Sequence, residues 1–265
     1  MKYPHIDPVF FEIGPLQLRW YGLMYIIGFL CAYLILVRVS KKQGYEMHRR
    51  EIEDLLSYSV AGLIIGARLG YCAFYNLSFY LSHPLKCFAV WEGGMSFHGG
   101  LIGLVMAGYL YARLNKKSLL MLADMGALAA TPGLFFGRIG NFINAELYGR
   151  VTDVPWGMVF PGGGFLPRHP SQLYEAFSEG LLLFLILFFI SMKVKVRGVL
   201  ISSFLILYGI MRFYLEFFRE PDSQLGFVIG TLTMGQVLCV LMIGAGACIL
   251  ITVLKSRRDS RDNKL

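Results

Sequence analysis

Apolar residues gather in seven long stretches, at about residues 20–38, 55–75, 94–112, 118–138, 172–192, 198–217 and 229–254. A bilayer core about 30 Å thick is crossed by about 20 helical residues, so the pattern predicts about seven transmembrane helices joined by loops. The first stretch is unbroken from Trp20 to Val37, between Arg19 and Arg38, and no charge interrupts the chain from Ser223 to Leu254. The second, fourth, fifth and sixth stretches carry charges, which makes them the informative ones. The first stretch lacks a basic segment before it and an A-x-A site after it, so it reads as an uncleaved anchor.

Between the fourth and fifth stretches, residues 139–171 hold Pro155, Pro161, Gly162, Gly163, Gly164, Pro167 and Pro170. Such a segment reads as turns with short strands, Trp156–Phe160 being one candidate. The expected organisation is one membrane-embedded domain, 1–265. It has an outward extended arm over 1–18, an outward head over 139–171 and a basic cytoplasmic tail over 255–265. Glycines at 62, 66 and 70 and at 99 and 103 have the small-xxx-small spacing that lets helices approach closely.

Composition agrees with the pattern. Of 265 residues 56% are hydrophobic and 16% charged, against about 25% charged in a soluble domain, and mean hydropathy is +0.57. Disorder, a soluble core and a nucleic-acid module are excluded. The excess of 25 Lys and Arg over 17 Asp and Glu is a topology signal. Sixteen basic residues fall on one side of the predicted spans and eight on the other, placing the N-terminus outside and the C-terminus in the cytoplasm. The five cysteines form no CxxC, zinc or disulfide framework, and the five histidines show no ligand spacing. No metal, cofactor or nucleotide motif is present.

Arginine inside a span costs about 2.5–3.5 kcal/mol at its centre, so Arg68, Arg138 and Arg212 each call for a partner, a cavity or a ligand. Tyr208, Arg212, Glu216 and Arg219 form one helical stripe, and Arg138 shares a face with Asn141, with Glu146 just beyond. Two readings follow. Arg212 and Glu216 form an internal i,i+4 pair of structural value, or the arginines hold an anion. A guanidinium suits phosphate geometry, and at that depth the natural phosphate belongs to an anionic phospholipid. His98, in a Gly-rich turn, is either a general base or a structural histidine.

Four motifs, in order, resemble those of the bacterial prolipoprotein diacylglyceryl transferases. They are His98-Gly99-Gly100-Leu101 after Gly-Met-Ser-Phe, Gly137 to Arg150 (GRIGNFINAELYGR), Arg168 to Glu175 (RHPSQLYE), and Tyr208-Gly209 through Arg212, Glu216 and Arg219. The family pattern has Gly and Trp where this chain has Ala145 and Tyr148. The resemblance implies transfer of a diacylglyceryl group from phosphatidylglycerol to the lipobox cysteine thiol of a preprolipoprotein signal peptide, releasing glycerol phosphate. It implies a multi-pass protein of the bacterial cytoplasmic membrane that contacts membrane lipids and needs no cofactor or metal. By the same resemblance His98, Arg138 and Arg212 are catalytic, His98 as base and the arginines on the phosphate. Tyr21, Arg68, Asn141, Glu146, Gly149, Tyr208, Glu216 and Arg219 bind substrate or orient those that do. The rival reading is a phospholipid transporter or scramblase.

Overall fold

The computed structural model describes residues 1–14, 16–43, 45, 47–220 and 227–262. In chain order it contains β1 (Val9–Ile13), β2 (Leu16–Arg19), α1 (Trp20–Gln43), α2 (Arg49–Phe74), α3 (Leu77–Ser82), two 3-10 turns (Pro84–Phe88 and Val90–Glu92), α4 (Phe97–Leu114) and α5 (Leu119–Ile143). The order continues through α6 (Ser171–Glu175), a π-helical stretch (Ala176–Leu182), α7 (Leu183–Lys193), α8 (Val199–Leu215), β3 (Phe227–Ile229), β4 (Leu232–Thr233) and α9 (Met234–Asp262).

Each apolar stretch of the sequence contains a helix, the last one beginning at Met234 after the β3–β4 hairpin. Among the described residues five helices are long and apolar enough to cross a membrane: Trp20–Lys41, Arg49–Phe74, Leu119–Ile143, Ser171–Lys193 and Met234–Asp259. Val199–Leu215 is a shorter apolar helix. In α4, His98 and the glycines at 99, 100, 103 and 108 dilute the apolar character, so five rather than seven pass on length and hydropathy together. The protein is a helical, polytopic membrane protein.

The chain divides into two compact units, Met1–Val39 with Asp124–Leu265, and Ser40–Ala123. In the second unit α2 and α4 approach as the glycine spacing predicts. A Cβ on Gly66 would lie 2.4 Å from the Gly99 carbonyl oxygen, and one on Gly62 2.6 Å from that of Gly103. Only glycine permits that backbone contact. In the first unit Asp124, fully buried, accepts from the Gly198 and Ile201 amides at 2.6 and 2.8 Å. This carboxylate from α5 caps the N-terminus of α8, where unpaired amides and the helix dipole favour an anion.

The N-terminal arm is a hairpin rather than a simple extended strand, with β1 antiparallel to β2. Its first residues join the 139–171 segment: Tyr3 donates its hydroxyl to the Phe142 carbonyl at 2.6 Å, and the Val159 amide donates to the Met1 carbonyl at 3.0 Å. Trp156–Phe160 forms isolated bridges, Lys2 with Val159 and Met158 with Arg168, instead of the expected strand. Helix α9 continues into the basic tail as far as Asp262. Lys264 of that tail, Pro15 of the arm and Ser223, where the last uncharged run begins, lie outside the described residues.

Candidate active site

The span that begins at Ser171 is not a plain α-helix. Five residues of α6 pass into the π-helical stretch Ala176–Leu182 before α7 resumes, and such π segments recur at functional sites. Glu175 closes α6 and Glu179 lies within the π-helical stretch, both fully buried. Gly180 makes the close approach possible, since a Cβ there would sit 2.5 Å from Phe135 Cβ.

The two carboxylates meet three guanidinium groups. Glu175 Oε1 lies 2.6 Å from Arg212 Nη1, and Glu175 Oε2 lies 2.8 Å from Arg138 Nε. Glu175 therefore bridges α5 and α8. Arg212 Nη2 donates to Glu216 Oε2 at 2.7 Å, and Glu216 in turn accepts from the Thr233 hydroxyl at 3.0 Å. Arg219 Nη1 stands 3.7 Å from Glu175, and Arg212 Nη1 stands 3.7 Å from Glu179 Oε1. Charge across these six side chains balances, three against three. An isolated buried charge is costly, so a network of this kind depends on every member.

The two central arginines differ. Arg212 is tied by two short contacts to carboxylates. Arg138 has an ion pair to Glu175 that lacks hydrogen-bond alignment. Its one hydrogen bond among the described residues is from Nη1 to Asn141 Oδ1, at 3.5 Å, the outer limit for such a bond. Most of its donors are uncommitted, and its side chain is 18% exposed.

Asn141 links Arg138 to Glu146, donating to Glu146 Oε1 at 2.7 Å. The Tyr21 ring lies against Gly140, where a Cβ would come within 2.8 Å of it. Glu146 is fixed through its backbone, its carbonyl accepting from Gln172 Nε2 at 2.6 Å. Ala145 and Leu147, on either side of it, have φ of 54° and 56°. Ala145 thus occupies a left-handed position that glycine fills at no cost, the residue type the family pattern has there. Gly149 tolerates no side chain, since a Cβ would lie 2.3 Å from the Phe218 carbonyl oxygen, and it bridges to Arg219.

These contacts bring Tyr21, Arg138, Asn141, Glu146, Gly149, Arg212, Glu216 and Arg219 into one network in the first unit. Tyr208 stacks on Phe204 one helical turn before Arg212, and its interaction with Arg212 and Glu179 is electrostatic. The i,i+4 pair of Arg212 and Glu216 is present. Two further carboxylates, Glu175 and Glu179, reach the arginines from another helix. Both were visible as charges in an apolar stretch, in helical register with Gln172, but carried no assigned role.

Arg68 and His98 belong to the second unit. Arg68 is 4% exposed and donates to the carbonyls of Cys87 (2.9 Å), Gly94 (3.1 Å), Lys86 (2.6 Å) and Gly93. It secures the segment between α3 and α4. His98 is exposed at the second position of α4, its ring against Phe97, where Ser96 accepts from the Gly99 amide at 3.2 Å to start the helix.

The 139–171 segment has its own core. Arg168 donates to the Gly163 carbonyl at 2.8 Å, pairs with Glu220 at 2.8 Å and lies over the Tyr148 ring. His169 packs edge-on to Phe218, with Nδ1 3.3 Å from the Tyr174 hydroxyl. Burial lowers its pKa from the ordinary imidazole value, against an opposing pull from Asp153.

Membrane-length helices and a buried arginine–carboxylate network, one guanidinium of which keeps uncommitted donors among the described residues, define a polytopic membrane protein with a charged site inside its helices. Residues 8–252 match the sequence model of the family described as prolipoprotein diacylglyceryl transferase, and the chain belongs to that family. A protein of Geobacter sulfurreducens named phosphatidylglycerol–prolipoprotein diacylglyceryl transferase is 56% identical over 97% of this chain and 98% of its own length. Proteins of the same name from Oleidesulfovibrio alaskensis and Pasteurella multocida are 51% and 49% identical, each over 98% of this chain and over 98% and 97% of their own lengths. The family resemblance of the four motifs is thereby borne out, and the chain is a membrane-embedded transferase.

Proposed function

We propose that this transferase moves the diacylglyceryl group of phosphatidylglycerol onto the lipobox cysteine of a preprolipoprotein signal peptide, the first step of lipoprotein maturation. The sulfur attacks the glyceryl carbon that carries the phosphate, a C–S bond forms, and the C–O bond to phosphate breaks. Glycerol phosphate leaves and the diacylglyceryl chain remains on the peptide as a thioether.

The observation that carries this reading is the contrast within the arginine network. Arg212 is held fast by Glu175 and Glu216, while Arg138, braced by the same Glu175, keeps donors unspent. A guanidinium positioned in advance, in a site of low dielectric, stabilises charge growing on the departing phosphate without reorganising. Asn141, Glu146, Tyr21 and Gly149 shape the wall beside Arg138, and Arg219 adds positive charge near Glu175. A lipobox thiol with pKa about 8.5 is largely protonated at neutral pH. His98, exposed at the start of α4, takes that proton as base, and the proton leaves with glycerol phosphate or to solvent.

In this reading the whole chain is one catalytic membrane domain of the bacterial cytoplasmic membrane. The 1–18 arm and 139–171 segment form an outward head, and the N-terminus lies outside. A transporter or scramblase needs polar groups available along the full depth of the bilayer. The buried acid Asp124 is instead consumed in capping α8, which favours transfer.

Purified protein mixed with phosphatidylglycerol and a lipobox peptide should give peptide heavier by one diacylglyceryl group, with one equivalent of glycerol phosphate. Unmodified peptide from well-folded protein would turn the assignment toward transport.

A further inference from the structure

The arginine network uses its carboxylates unequally. Glu175 lies 2.8 Å from Arg138 and 2.6 Å from Arg212. Glu216 accepts from Arg212 at 2.7 Å and from the Thr233 hydroxyl at 3.0 Å. Glu179 is fully buried, and neither of its oxygens accepts a hydrogen bond among the described residues. Its ion pair with Arg212 spans 3.7 Å, to an Nη1 that already donates to Glu175 at 2.6 Å. The titratable and charged groups around Glu179 are Glu175 on its own span, Tyr208 and Arg212 on α8, Arg138 on α5, Arg219 just after α8 and Cys239 on α9. Hydrogen bonds and close cations are what stabilise the charged form of a carboxylate. Of the three carboxylates Glu179 has the fewest of both, and a buried acceptor left without a donor calls for a reason.

Charge balance supplies one. With all six side chains ionised, three guanidinium groups face three carboxylates. A phosphodiester arriving at the uncommitted donors of Arg138 adds a negative charge that nothing offsets, at a depth where an unbalanced charge is costly. We propose that the site binds its anion together with one proton, and that Glu179 takes that proton. Three guanidinium groups then face two carboxylates and one phosphate, and the balance is restored. The proton enters from water with the anion and returns to water when the phosphate leaves, with no covalent bond to Glu179. Glu179 is thus a positioning residue that sets the charge of the site without touching substrate. The inference rests on the proposed function in taking a phosphodiester as the anion.

Short-chain phosphatidylglycerol titrated into the full-length protein in detergent, by calorimetry in two buffers of different ionisation heat, counts the protons taken up. The phosphodiester stays a monoanion across the neutral range, so a proton gained on binding goes to the protein. Uptake approaching about one proton per bound lipid is expected near pH 7, with affinity falling by up to about tenfold per unit as pH rises. In Glu179→Gln, a neutral side chain of the same size, uptake should vanish and affinity should no longer follow pH. In the infrared difference spectrum of the parent, binding should replace a carboxylate band by a protonated-carboxyl band, a readout that does not depend on the variant folding. Binding without uptake, or uptake that persists in folded Glu179→Gln, overturns the proposal and leaves the proposed function standing. No binding, or binding that Arg138→Gln leaves unchanged, contradicts the anion site itself and the proton uptake with it.

Discussion

Arg68 and Arg138 both lie in apolar helices, and what surrounds each guanidinium decides its use. Four carbonyl oxygens of a single segment occupy Arg68's donors. Its partners are neutral, and they take four of its five N–H donors. Arg138 faces a shared carboxylate in an ion pair without hydrogen-bond alignment and one 3.5 Å contact. A satisfied arginine organises backbone, whereas an under-satisfied one beside a neutralising network is ready for an anion. Residue type and depth in the helix do not separate the two, because the difference lies in the partners.

The comparison breaks or sharpens at definite places. The largest effect is expected from Arg212→Gln, which strands Glu175 and Glu216 without their common cation. Loss of one partner of a buried pair costs about 3–5 kcal/mol, so transfer should fall by more than about a thousandfold, with a lowered melting temperature in detergent. Next, His98→Gln should slow transfer about a hundredfold at pH 7. That loss should be partly relieved toward pH 9, where the peptide thiol ionises by itself; an unchanged rate removes His98 from the base role. Glu175→Gln keeps the side-chain size but loosens both arginines, and misplacement of about 1 Å costs on the order of a hundredfold. Its turnover should drop by that order while the protein still inserts. By contrast, Arg68→Lys should act on stability. Orphaned carbonyls cost about 1–3 kcal/mol each, so melting should fall while the folded fraction keeps turnover within about fivefold of the parent. If Arg68→Lys instead abolished turnover with melting unchanged, the distinction between the two arginines would collapse.

The smallest effect is expected at His169. Burial lowers its pKa in the folded state, so the unfolded chain binds more protons over the window below the ordinary value of about 6.5. Stability from this group is present above that value and lost as pH falls through the window. His169→Phe should flatten the acid side of a melting-temperature profile between about pH 7 and pH 5.

Much of this was legible before any coordinates. The apolar stretches have helical length and the glycines at 62, 66, 99 and 103 sit at packing spacing, so the helices and the α2–α4 contact follow from local pattern. The i,i+4 partnership of Arg212 and Glu216 was equally local. Pairing across the sequence was not legible. That Glu175 bridges Arg138 and Arg212 depends on three helices converging, and the π-helical stretch that begins directly after it leaves no mark in the apolar pattern. The partners of Asp124, the first amides of α8, lie more than seventy positions away, out of reach of any local pattern. Arg68's carbonyl acceptors were invisible for a plainer reason: every residue has a carbonyl, and only the fold of the Leu77–Glu92 segment says where those carbonyls point.

The central claim is that Arg138 grips the phosphate through its guanidinium fork, beyond merely adding positive charge. Lysine keeps the charge and removes the fork. The measurement is the turnover of Arg138→Lys with phosphatidylglycerol and a lipobox peptide, in protein shown by its melting temperature to be folded. The account predicts a loss on the order of a hundredfold or more, the scale of removing a transition-state donor. Turnover within a few-fold of the parent would contradict it and leave Arg138 as a structural member of the ion-pair network.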